Sequence, residues 1–222
     1  MQRIPEPELM DEFDQARAYA AADFSEPNER FAELFLATFP QFDRGAILDL
    51  GCGPGDIALR LAARLPRVQV HGLDGSQAML DCARERLSRS PALAPRVQFL
   101  RGLLPGCEVP LPAYDAVVSN SLLHHLHDPQ VLWHSIRAMG RAGAPVLVMD
   151  LFRPPSLQAA LDIVATYAAG EPEVLRRDFH NSLLAAFEPG EVRAQLDAGG
   201  LGELEVRTVS DRHLLVVGHL PG

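Results

Sequence analysis

Asp49, Gly51, Gly53, Gly55 and Asp74 are the residues whose types and spacing could do chemistry in this chain. An apolar run, Ile47-Leu48-Asp49-Leu50, empties into Gly51-Cys52-Gly53-Pro54-Gly55-Asp56. Glycine has no Cβ, so the backbone can turn sharply and a ligand can lie against the main chain. The run reads as a buried strand and the stretch after the loop as a helix. Strand, glycine turn and helix start together make a nucleoside cradle. The spacing is Gly-x-Gly-x-Gly. It differs from the Gly-x-Gly-x-x-Gly that packs a helix terminus against a pyrophosphate. Asp74 ends the next apolar run, where a carboxylate can accept hydrogen bonds from both hydroxyls of a ribose.

A second group of polar residues follows a later apolar run, in Ser119-Asn120-Ser121-Leu122-Leu123-His124-His125-Leu126-His127-Asp128-Pro129. Imidazole is a common metal ligand, so three histidines invite a metal reading. Pocket lining by His125 and local capping or packing are the competing readings. We expect His125 to line the pocket, as the first candidate for a base, with His180 and Asp150 behind it, and no metal. Arg153 carries a guanidinium that matches a substrate carboxylate. The polar stretch Arg176-Arg177-Asp178-Phe179-His180-Asn181-Ser182 is either an exposed helix face or a substrate-reading wall. On the second reading Asp178, His180 and Asn181 contact substrate. Three scattered cysteines (Cys52, Cys82, Cys107) argue against a disulfide framework and a cysteine zinc site.

The elements that must position these groups alternate. The patterning predicts strands at 45–50, 68–73, 97–100, 114–119 and 145–151, with helices at 56–65, 76–88 and 128–139 between them. Ser76 is the expected N-cap of the second of these helices and Pro129 sits in the first turn of the third. Such alternation predicts a parallel sheet with helices on both faces. Upstream, 11–22 and 26–39 read as helices, the second with Phe31, Leu34, Phe35 and Phe39 at helical spacing. Downstream, 157–169, 173–187 and 190–196 read as helices. The last apolar runs, 204–209 and 214–217, are joined by four residues, too few for a parallel crossover, so they predict an antiparallel hairpin.

Leu48-Asp49-Leu50-Gly51-Cys52-Gly53-Pro54-Gly55 closely resembles the cofactor loop of class I S-adenosylmethionine-dependent methyltransferases. Val70-His71-Gly72-Leu73-Asp74-Gly75-Ser76 resembles that family's second strand with its ribose-binding acid, and 114–120 resembles its fourth. The resemblance implies an α/β Rossmann-like, doubly wound fold. Its seven-stranded, mostly parallel sheet would end in an antiparallel last strand. It divides the single domain into an N-terminal helical lid (1–44), a cofactor-binding core (45–151), a helical insertion (152–200) and a closing hairpin (201–222). The implied cofactor is S-adenosyl-L-methionine, with S-adenosyl-L-homocysteine as product. Expected cofactor contacts are Tyr19, Asp49, Gly51, Cys52, Gly53, Asp74, Gly75, Met79, Leu103, Leu104 and Asn120. Tyr19 would cover the cofactor, with helix packing as its alternative, and Met79 divides between adenine contact and core packing. Many relatives carry an acid after the third strand. Here Leu103 and Leu104 stand there, and backbone groups of 102–104 take over adenine recognition. Asn120 lacks the Pro-Pro-Tyr or Pro-Pro-Phe continuation of enzymes that methylate nucleic-acid bases or protein glutamine.

The whole chain agrees with a small-molecule enzyme. Its 222 residues are 47% hydrophobic and 22% charged, with a net charge of −9. Nucleic-acid binding usually demands a basic face, and none is visible. No apolar run approaches the ~18 residues that span a bilayer. The start, Met1-Gln2-Arg3-Ile4-Pro5-Glu6-Pro7-Glu8, lacks the apolar core of a secretion signal, so the expected compartment is the cytoplasm. The expected activity is in-line methyl transfer to a small molecule. The alternatives are a non-catalytic cofactor-binding subunit, which a sealed or filled acceptor pocket would favour, and an NAD-dependent oxidoreductase, which the loop spacing opposes.

Overall fold

The computed structural model describes residues 1–9 and 13–222. Asp11, where the first helix is expected to begin, lies outside them. Seven strands form one sheet: β1 (Arg44–Leu50), β2 (Arg67–Asp74), β3 (Val97–Arg101), β4 (Ala116–Asn120), β5 (Pro145–Leu151), β6 (Glu205–Thr208) and β7 (His213–His219). Their order is β3-β2-β1-β4-β5-β7-β6. The first five pair in parallel, and β7 runs antiparallel between β5 and β6. The expected sheet and terminal hairpin are both present.

The core has two faces because strand side chains alternate. Ile47, Val68, Val70, Val118, Leu147 and Leu215 point to one face. There they meet α2 (Ser25–Thr38) and α3 (Asp56–Arg64) through Phe31, Phe35, Ala58 and Leu61. Leu48, Leu50, Val117, Val146, Val148 and Val216 point to the other. There they meet α5 (Gln130–Met139) and α8 (Pro189–Ala198) through Leu132, Trp133, Ile136, Val192 and Leu196. Phe31 and Phe35 are fully buried. Truncating either to alanine would cost about 3–5 kcal/mol, so α2 is part of the core as well as a wall of the site.

The remaining helices are α1 (Phe13–Ala21), α4 (Gln77–Ser88), α6 (Leu157–Tyr167) and α7 (Glu173–Ala185). Ser76 caps α4, its hydroxyl accepting from the Met79 amide at 3.2 Å. Pro129 falls one place earlier than expected, at the N-cap of α5. Tyr114 stands outside β4 and makes an isolated bridge to Gly140. The Asp115 side chain takes the Ala46 amide at 2.8 Å, which interrupts the ladder there. Residues 1–9 form no helix. They run as a strap over the turn after β4 and over α7. Arg3 donates to the carbonyls of Ala185, His124 and Leu126, and the Ile4 amide donates to Leu184.

In an open parallel sheet a ligand crevice forms outside the carboxyl ends of the strands, where the order reverses. Here that point lies between β1 and β4, which places the 51–55 loop beside Asn120.

Candidate active site

Three glycines make the loop after β1. Gly51, Gly53 and Gly55 all have positive φ (69°, 50° and 79°), a region that L side chains rarely adopt. A Cβ on Gly51 would lie 2.8 Å from Leu122, and one on Gly55 2.5 Å from Phe99. A Cβ on Gly53 would meet no atom, and Gly53 lines a cavity of about 290 Å³. The loop thus leaves open the space that a ligand needs against its main chain. Asp74 fixes the loop from β2: its carboxylate accepts from the Gly53 amide at 2.7 Å and the Ser76 amide at 2.8 Å.

Asp49 lies beneath the loop, 1% exposed, with neither carboxylate oxygen hydrogen-bonded among the described residues. Burial first, then the neighbouring Asp74 carboxylate, push its pKa up to about 8. The Ala58 amide opposes this weakly, from outside hydrogen-bond geometry. A buried acid without a partner is costly unless a ligand supplies a donor or a positive charge. The buried Oδ1 of Asn120 is unpartnered too. These orphaned acceptors at the mouth of a glycine cradle fit the amino and hydroxyl donors of an amino-acid nucleoside.

The structure brings every expected cofactor residue to this one cavity: Tyr19, Asp49, Gly51, Cys52, Gly53, Asp74, Gly75, Met79, Leu103, Leu104 and Asn120, with His125 at its edge. The Tyr19 ring packs on Phe24 at 4.7 Å between centroids. Burial and the carboxylates around it push its phenol up to about 12, so it stays protonated. Burial raises the Cys52 thiol well above its ordinary value, which leaves no thiolate to act as nucleophile.

A second cavity, of about 250 Å³, continues from the first and shares Tyr19, Phe24, Asn120, Ser121 and His125 with it. Its far wall is α7, through Leu175, Asp178, Phe179 and Ser182. Those positions fall at i, i+3, i+4 and i+7, one face of a helix. Asp178 is therefore where a substrate contact was expected, and it accepts from the Gln15 side chain at 2.9 Å. His180 and Asn181 lie outside the lining of both cavities, and Asn181 is exposed. The structure does not bring them to the site. Arg153 is not brought there either. It is 5% exposed and turned inward, donating to the Ala186 carbonyl at 2.9 Å and to Glu188 and Glu191 at 3.0 Å each. It closes the insertion onto β5, and its charge is spent within the protein.

Sequence reasoning missed several residues at the junction. Ser121, the one non-glycine with positive φ among the described residues (56°), lines both cavities. Such strain persists where the surroundings enforce it, often at functional sites. His124 is buried in the turn after β4, a 3-10 turn at Leu123–His125. Its Nδ1 donates to Asp150 Oδ1 at 2.5 Å, and Asp150 also accepts from the Leu123 and Leu151 amides at 2.7 Å. Burial would lower the His124 pKa, but Asp150 and Glu6 outweigh it and hold it above its usual value. Burial and the neighbouring His124 charge push His125 down to about 3, so it is neutral at physiological pH. Glu6 reaches this turn from the strap, a placement that local spacing carries no signal for.

The comparisons agree with this geometry. A family model described as a methyltransferase domain matches residues 47–145. A trans-aconitate 2-methyltransferase of Methylobacterium radiotolerans is 31% identical, over 73% of this chain and 72% of that protein. An uncharacterized methyltransferase of Mycobacterium tuberculosis is 32% identical over 55% of this chain, and this chain covers 58% of its length. Among solved structures, a SAM-dependent methyltransferase from Aquifex aeolicus superposes with a TM-score of 0.69 at 16% identity, over 94% of this chain and 98% of that one. The plantazolicin methyltransferase BpumL, solved with S-adenosylhomocysteine, gives 0.70 at 12% identity, over 94% and 92%. The fold and cradle define a Rossmann-like nucleoside-binding enzyme class. Within it, the chain belongs to the class I S-adenosylmethionine-dependent methyltransferase family.

Proposed function

We propose that this chain transfers a methyl group to a small-molecule acceptor held in the second cavity. The carrying observation is that the cofactor cradle opens directly into that cavity through Asn120, Ser121 and His125. A non-catalytic cofactor-binding subunit has no use for such an opening, and its acceptor space would be sealed. The volume suits a small molecule. The trans-aconitate named for the Methylobacterium relative is one.

S-adenosylmethionine, when bound, supplies a methyl already activated by its sulfonium. The chain's own task is to hold an acceptor atom in line and keep water out, which can supply roughly 7–11 kcal/mol of barrier reduction. Asp74 is assigned to the ribose hydroxyls, Asp49 to the amino-acid end, and Leu103 and Leu104 to the adenine edge. Tyr19 and Phe24 cover the junction. We read His125 as the residue that positions the acceptor. A carboxylate, thiolate or imidazole acceptor needs no base, because its attacking lone pair is already free.

The test is a transfer screen with radiolabelled cofactor against fractionated metabolites. Label entering a low-molecular-weight fraction, and lost in Asn120→Ala, supports the reading. Label found only on protein or nucleic acid overturns it.

A further inference from the structure

We propose that Glu6 Oε1, His124 Nε2 and His125 Nδ1 form a site for one divalent transition-metal ion, of which zinc is the type. Glu6 Oε1 lies 3.5 Å from His124 Nε2 and 3.3 Å from His125 Nδ1. As charge-assisted hydrogen bonds these are poor, since such bonds run about 2.7–2.9 Å. As edges of a coordination polyhedron they are right. Zinc bonds of about 2.0–2.2 Å to nitrogen and oxygen give tetrahedral ligand–ligand edges of about 3.3–3.5 Å. All three donor atoms lie within 4.8 Å of one another.

The surroundings also suit a metal. Asp150 takes the His124 Nδ1–H, so Nε2 is the ring atom turned to the Glu6 carboxylate. In the metal-free chain a proton on Nε2 is favoured there by Asp150 and Glu6, and a metal ion would displace it. A carboxylate behind a ligating histidine also fixes its tautomer and orientation, as in known metal centres. Two imidazoles and one carboxylate select zinc, iron or nickel over magnesium and calcium, which prefer all-oxygen shells. The Ser182 hydroxyl donates to the same Glu6 Oε1 at 3.0 Å and orients it, and the strap carrying it is pinned by Arg3 and Ile4. The Arg3 guanidinium adds positive charge nearby, but it donates to the carbonyls of His124 and Leu126, and Glu6 and Asp150 bring two negative charges against it.

Such an ion would tie the N-terminal strap to the turn after β4. His124 and His125 both line the second cavity, so its remaining coordination positions open there, to water or an oxygen atom of the acceptor. That last point rests on the proposed function; the metal site itself does not.

The test uses the full chain without an affinity tag, stripped with chelator and dialysed against zinc and, separately, cobalt. We expect one ion per chain and a visible cobalt band of low-coordinate nitrogen and oxygen ligation. Glu6→Gln should abolish that band. It sits on the strap outside the core, so folding is retained. Asp150→Asn should weaken binding by roughly 10–100-fold, and His134→Ala, on exposed α5 surface, should leave it unchanged. Absence of saturable binding at millimolar metal overturns the proposal, as does stoichiometric binding that Glu6→Gln does not alter. S-adenosylhomocysteine titration of the same samples reads the cofactor cradle separately, so failure of one reading is distinguishable from failure of the other.

Discussion

At the scale of single residues, two acids one strand apart divide the labour of the cradle. Asp74 accepts from the Gly53 and Ser76 amides, and a carboxylate oxygen can accept more than one hydrogen bond, the chemistry that ribose hydroxyls need. Asp74→Ala should weaken S-adenosylhomocysteine binding by about 1.5–3 kcal/mol, the usual loss for charge-assisted hydrogen bonds, as calorimetry would read. Asp49 is the opposite case, buried and unpartnered. Asp49→Asn should stabilise the ligand-free chain at pH 8 by ~1–3 kcal/mol, because it removes a buried charge with no partner. The same change should weaken ligand binding. Denaturant melts with and without ligand check both. A variant that binds as tightly as wild type would remove Asp49 from the cofactor site.

At the scale of elements, Arg153 joins the insertion to the sheet. Arg153→Met should lower stability by ~1–3 kcal/mol through the lost bonds to Ala186, Glu188 and Glu191. It should leave the affinity for S-adenosylhomocysteine unchanged; a substrate role would instead raise KM with stability intact. This element also shows where sequence legibility ends. The Gly-x-Gly-x-Gly loop, the acid ending β2 and the alternation of strands and helices are local patterns. They were readable because period and turn chemistry are written within a dozen residues. The stripe Leu175, Asp178, Phe179 and Ser182 was readable in principle from the same 3.6 period. Polarity alone drew His180 and Asn181 in, although a step of about 100° per residue turns them off that face. Arg153 looked available because it falls two residues beyond β5; its partners lie more than thirty residues on. The contact between Glu6 and the histidine turn spans more than half the length of the chain, and only the tertiary fold can make it.

At the scale of the whole molecule, ligand binding in the cradle and the stability of the fold are linked through the ionisation of Asp49. Its pKa in the folded, ligand-free chain is about 8, against 3.8 for an ordinary aspartate. The folded state therefore binds this proton more tightly than the unfolded state does. Its contribution to stability falls as pH rises from about 4 and is gone above about 8, where the buried carboxylate is charged in both states. An ammonium placed against Asp49 reverses that preference and draws the carboxylate into its charged form. Ligand binding below pH 8 must then release a proton. Affinity for S-adenosylhomocysteine should rise with pH, by up to about tenfold per unit, and level off near pH 8. The thermal shift on ligand addition should grow over the same range, since stabilisation follows the ratio of ligand concentration to Kd. Calorimetry in buffers of different ionisation enthalpy at pH 6.5 measures the proton directly: wild type should release up to one per ligand, and Asp49→Asn should lose that release. A flat pH profile in the wild type would place the ligand's amino group elsewhere in the cavity.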